Sequence, residues 1–92
     1  MAGVPSARML QAMPQYLLHH RHDARDCPIA YAAWKGHESP LRHRTTLASC
    51  ASGGHAIWWT VEAASVEAAL GFLPTYLADR TEAVPVADVE IP

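Results

Sequence analysis

No stretch of this chain approaches the roughly 18 consecutive apolar residues that a membrane span requires, and the opening MAGVPSARMLQA has no continuous apolar h-region of signal-peptide type. A cytoplasmic location is the expectation that follows. Lysine and arginine never cluster: Arg21, Arg25, Arg42 and Arg44 are scattered and the formal net charge is −2, which argues against a nucleic-acid or anionic-membrane partner. The aromatic-basic signature that RNA binding on a sheet would need is missing from the central strands as well. No nucleophile elbow, phosphate loop or dinucleotide fingerprint occurs, so the hydrolase, kinase and dehydrogenase readings lose their usual anchors. Internal repeats and low-complexity tracts are absent. Cysteine is scarce, with only Cys27 and Cys50. In a cytoplasmic chain two cysteines point to free thiols or metal ligands, with a single Cys27–Cys50 bridge as the alternative.

What is present is enough for one compact domain and hardly two: 92 residues, half of them hydrophobic. Residues 1–12 are expected to be a disordered N-terminal extension, leaving 13–92 as a single domain. Residues 15–22 read as a strand with Tyr16, Leu18, His20 and His22 on one face and Leu17, His19 and Arg21 on the other. Asp26 or Cys27 caps a short helix that Pro28 opens and Gly36 closes, with Ile29, Ala32, Ala33 and Gly36 along one side. "HESPLRHR" is a loop broken by Ser39-Pro40, with room for one helical turn at Pro40 to His43. Residues 45–51 and 55–62 form a hairpin turned by Ser52-Gly53-Gly54. Ser65 caps a second helix carrying Val66, Ala69, Leu70, Leu73 and Leu77, which Pro74 must kink or break. The last strand runs from about 82 to 91, with Pro85 marking an edge position and a bulge between Val86 and Val89.

Strand, helix, hairpin, helix, strand is the order of a ferredoxin-like βαββαβ domain of the α+β class. Right-handed crossovers give it a four-stranded antiparallel sheet in the order 4-1-3-2 with two helices on one face. Trp58 and Trp59 are adjacent in the third strand and so face opposite sides of that sheet, while helices cover only one. Two sheets packed face to face would cover the other ring, and the expected assembly is therefore a homodimer of the dimeric α/β-barrel kind.

The same topology collects chemistry. Strand three lies antiparallel beside strand one, so His55 meets His20 and His22; strand two parallels strand one, so Cys50 reaches the same rim; Cys27 starts the first helix above it. His20, His22, Cys27, Cys50 and His55 form a set of nitrogen and sulfur donors of the kind zinc, nickel, cobalt or copper prefers, whereas calcium or magnesium would want oxygen. Asp23, Asp26 or Glu38 could orient a ligating histidine. His19 belongs to a dimer interface or to the helix side. His37 and His43 read as solvated or backbone-bonded, Tyr31, Trp34, Phe72 and Tyr76 as core, and Arg42 and Arg44 as solvated, with carboxylate binding by one of them or a pair with Glu38 as the alternative.

His20-x-His22-x4-Cys27, "YAAWKGHESPLRHR", "CASGGHAIWW" and the terminal "VEIP" resemble a family of small bacterial proteins of about this length, with no activity to carry over. At fold level the chain is also similar to small dimeric ferredoxin-like proteins, some of them nickel-binding, which implies a dimer and a metal without naming ligands. Two functions follow. One is a transition-metal protein for storage, sensing or delivery, holding zinc, nickel or copper. The other is a dimeric α/β-barrel enzyme of isomerase or monooxygenase type. Its pocket, lined by Tyr16, Trp34 and Trp58, would hold a small organic substrate, with a histidine or a metal-bound water acting on it.

Overall fold

The computed structural model describes residues 13–92, so the expected extension at 1–12 lies outside the described residues. Strand β1 (Gln15–Arg21) occupies the middle of the sheet because its alternation is complete: Tyr16, Leu18 and His20 are buried while their neighbours are not. Strand β3 (Ala56–Glu62) repeats the pattern with Ile57, Trp59 and Val61 inward. The two pair antiparallel, Leu18 opposite Trp59 and His20 opposite Ile57. Strand β2 (Leu47–Ala48) extends the sheet beyond β3 and strand β4 (Thr81–Val86) beyond β1, giving the antiparallel order β2-β3-β1-β4. Counted from the β4 edge this is 4-1-3-2. Pro85 therefore sits on an edge strand, where a missing backbone donor is tolerated.

Three short helices accompany the sheet: α1 (Cys27–Ala32), α2 (Val66–Leu70) and α3 (Thr75–Ala78). Pro28 lies in the first turn of α1, where its absent N–H has no bond to lose. Ser65 caps α2 by accepting from the Ala68 backbone N–H at 3.1 Å. Pro74 splits what periodicity reads as one helix; at φ −57°, ψ 153° it is extended and starts α3 afresh. The core joins Tyr16 and Leu18 of β1 and Ile57, Trp59 and Val61 of β3 to Ala30, Leu41, Ala69, Leu73 and Leu77.

Several boundaries differ from expectation for local reasons. Strand β4 ends at Val86, which pairs with Gln15, the first residue of β1; the next residue back, Pro14, has no backbone N–H with which to extend the ladder. Val89 and Ile91 are accordingly exposed, and the expected bulge between Val86 and Val89 falls beyond the strand. Strand β2 is two residues long where a strand over 45–51 is expected, because Cys50–Ser52 turn away as a short 3-10 helix ended by Gly53 at φ 86°. On α1 the buried residue is Ala30, while Ile29 and Tyr31 are about half exposed at 51% and 53%. Tyr31 is thus a surface residue and not core, whereas Trp34, Phe72 and Tyr76 do pack against the core.

Candidate metal centre

The β1–β3 ladder runs one step past the strands. The backbone N–H of His22 donates to the carbonyl of His55 at 3.1 Å, which fixes two imidazoles side by side at the end of the sheet. The short 3-10 turn Ala24–Asp26 then doubles the chain back, so that Cys27 opens α1 directly over them. Cys50 arrives from the opposite side on the turn that follows β2. That turn is held by Ser49, whose carbonyl accepts from Gly54 N–H at 2.8 Å and whose hydroxyl accepts from Ala56 N–H at 3.1 Å.

The result is one compact set of donors. One ligand atom each from His22, Cys27, Cys50 and His55 lies within 4.8 Å of every other, an arrangement that could hold a metal ion. His22 Nε2 is 3.2 Å from Cys27 Sγ and 3.6 Å from Cys50 Sγ, and Cys27 Sγ is 3.1 Å from His55 Nδ1. Nitrogen at about 2.0–2.1 Å and sulfur at about 2.3 Å from a tetrahedral zinc stand roughly 3.4–3.8 Å apart. The three nitrogen–sulfur contacts lie within a few tenths of an ångström of that figure, and the whole set falls within 4.8 Å. Both cysteines are free thiols, which removes the disulfide alternative from this structure. All four residues are partly exposed, so the cluster lies at the rim of the domain and not in its interior.

His20, expected among the ligands, stands behind them. It is fully buried, and its Nε2 lies 2.9 Å from His22 Nδ1 while its Nδ1 lies 3.3 Å from the Thr81 hydroxyl. Thr81 donates its only hydroxyl proton to the Leu77 carbonyl at 2.6 Å. Toward His20 that oxygen can then only accept, so His20 carries its proton on Nδ1 and presents a bare Nε2. Its one available partner is the Nδ1–H of His22. That leaves the lone pair of His22 Nε2 facing the thiols, the state a metal requires. Burial, and after it the neighbouring His22 imidazole, holds His20 below the ordinary histidine range, consistent with the neutral ring that this chain of bonds demands. The partner that orients His22 is therefore His20, not Asp23, Asp26 or Glu38.

Two further features mark the site. His55 adopts φ 56°, the left-handed region that non-glycine residues enter only at a cost. Tyr31 donates its hydroxyl to Cys50 Sγ at 3.8 Å, although its helical spacing suggested a core residue. Burial, followed by the Cys50 thiol and the Asp26 carboxylate, pushes the Cys27 thiol up, and burial and Cys50 do the same to the Tyr31 phenol. Without a cation the cluster resists carrying two thiolates; a coordinated divalent ion reverses that balance.

The remaining candidates are dispersed. His19 stacks on Trp58 across the open face of the sheet, ring centroids 5.3 Å apart and 8° from parallel. His37 meets the Phe72 carbonyl at 3.2 Å, a backbone bond of the kind expected for it. The three aromatic residues suggested for a substrate pocket do not meet: Tyr16 is in the core, Trp58 is on the open face, and only Trp34 lines the cavity beside α1. Thr81 carries no motif in the sequence; its one signal is the register that sets it opposite His20. No helix among the described residues is long and apolar enough to cross a membrane. The chain matches no protein-family model, no curated protein and no solved structure in the comparisons made.

Proposed function

We propose that this protein is a small transition-metal-binding protein that holds one ion, zinc before nickel or copper, with His22, Cys27, Cys50 and His55. The observation that carries the reading is the mutual approach of two imidazole nitrogens and two thiol sulfurs within 4.8 Å at one rim of the sheet. Two nitrogens and two sulfurs are a donor set that suits tetrahedral zinc, and four protein ligands would leave no open position for a substrate. That favours storage, sensing or delivery over catalysis, and the rim location suits exchange of the ion with a partner. Free thiols of this kind fit a reducing compartment such as the cytoplasm.

The strand order supports a ferredoxin-like domain, and a sheet face that no helix among the described residues covers supports a homodimer. Leu17, Leu47, Trp58, Val84 and Val86 share that face, with Leu47 74% exposed. A twofold axis would lay this apolar strip against itself. Sedimentation at micromolar concentration should show a dimer that Leu47→Glu dissociates; a monomeric native protein would remove the dimer and leave the metal reading standing.

Elemental analysis of protein purified without a histidine tag decides the main question. About one zinc per chain is expected, lost in the Cys27→Ala His55→Ala double variant, and cobalt substituted for zinc should show the intense visible absorption of a tetrahedral thiolate site. A chain that takes up no zinc, nickel or copper at micromolar free metal would end the proposal.

A further inference from the structure

We infer that the cavity between α1, the loop at 39–44 and β3 is a binding site for a small aromatic carboxylate. This goes beyond the metal reading and does not require it. The cavity is about 350 Å³, at the lower end of the range for ligand pockets. Its apolar walls are Tyr31, Trp34 and Trp59, and its polar lining includes Arg42, His43 and Arg44. No carboxylate among the described residues lines it.

The loop is built to present those basic groups. Leu41 is buried and anchors it, while the Arg42 N–H bonds the Ser39 carbonyl at 3.2 Å and the Arg44 N–H bonds that of Leu41 at 3.3 Å. Between the two arginines His43 takes φ 65°, a left-handed conformation that no glycine supplies here. Three consecutive residues thereby all line the same cavity. Opposite them, Trp34 and Trp59 stand 5.9 Å apart at 58°, a tilted pair that offers ring faces and edges to a third aromatic group.

Two arginines among the lining residues, with no described acid beside them, suit an anion, and the planar fork of a guanidinium turned into the cavity would match a carboxylate in two-point contact. Aromatic walls and a volume of this size select one or two fused rings as the body that carries it. A neutral ring of the same shape would lose the guanidinium contacts, and an aliphatic acid would lose the ring contacts.

The experiment uses 2-naphthoate against its neutral isostere 2-naphthamide, by calorimetry and amide NMR, on the full chain with and without zinc. Naphthoate should bind at least tenfold more tightly than naphthamide, shifting the indole signals of Trp34 and Trp59 and not that of Trp58. The preference should disappear in Arg42→Gln Arg44→Gln and be partly kept in Arg42→Lys Arg44→Lys, which retains the charge if the first variant folds poorly. Equal binding of the two probes, shifts confined to Trp58, or a preference that survives removal of both arginines would each overturn the inference. Binding that persists in chelator-stripped protein supports it. Loss of naphthoate binding in stripped protein that stays folded by circular dichroism would overturn the inference, because the arginine site does not need the metal.

Discussion

His20 shows how a residue can matter to a metal site without touching the metal. Its buried, neutral ring turns the Thr81 hydroxyl's orientation into a lone pair on His22 Nε2. His20→Leu leaves the His22 Nδ1–H without its acceptor, and zinc affinity should fall 10- to 100-fold, as it does when an orienting partner of a ligand is removed. Competition with a colorimetric chelator measures this, and a fold that stays intact by circular dichroism assigns the loss to orientation. His55 makes a different test. Its left-handed φ costs about 1–2 kcal/mol for a side chain that has a Cβ. His55→Gly should therefore melt no lower than the native chain in the absence of metal, yet bind zinc far more weakly; a metal-free melting temperature that drops by several degrees would show that the imidazole is structural. The identities of these donors were legible in the sequence, because a period of two set His20 and His22 on one face and the topology carried His55 to them. Their division of labour was not, since it depends on where β1 ends: His20 is still under the helices, whereas His22 is one step past the last strand pair.

At the scale of elements, the turn between β2 and β3 is the part on which the site's geometry most depends. A Cβ at Gly54 would collide with the Ser49 side chain, the same side chain that accepts from Ala56 N–H. Gly54→Ala must therefore displace Ser49 or the turn, and the expected outcome is weakened metal binding together with lost hydrogen-exchange protection at Ala56. Ser65→Ala, at the far end of the domain, should cost about 1 kcal/mol of stability through the lost helix cap and leave metal affinity unchanged, which makes it the matching control. Glycines at 53 and 54 announced a turn, but not that Cys50 would leave the sheet before it. A strand over 45–51 fits the local pattern equally well, and only the bonds that Ser49 makes across the turn decide against it. Pro74 was the opposite case: past the first turn of a helix a proline ring removes a backbone bond and clashes with the preceding turn, so the break between α2 and α3 could be anticipated.

For the molecule as a whole, a bound metal would be coupled to the fold, because the four donors come from just past β1, from the start of α1 and from the two ends of the β2–β3 turn. At free zinc one hundredfold above its dissociation constant the native state gains about 2.7 kcal/mol, and at roughly 4–8 °C per kcal/mol for a domain this small the melting temperature should rise by roughly 10–20 °C. Calorimetry with zinc and then with chelator measures it. The gain should shrink as pH falls, since two thiols must surrender protons to bind the ion and the Cys27 thiol holds its proton more tightly than usual. A shift independent of pH between about 6 and 8 would mean the thiols are not ligands. The ladder bond between His22 and His55 bears on how an ion would be exchanged. The imidazoles are tied to each other through the sheet, whereas Cys27 stands at the start of α1 and Cys50 on the 3-10 turn after β2. An ion bound there would be gripped on its nitrogen side by the sheet and on its sulfur side by two local reversals of the chain, so an acceptor bearing thiolates would compete first for the places the cysteines fill.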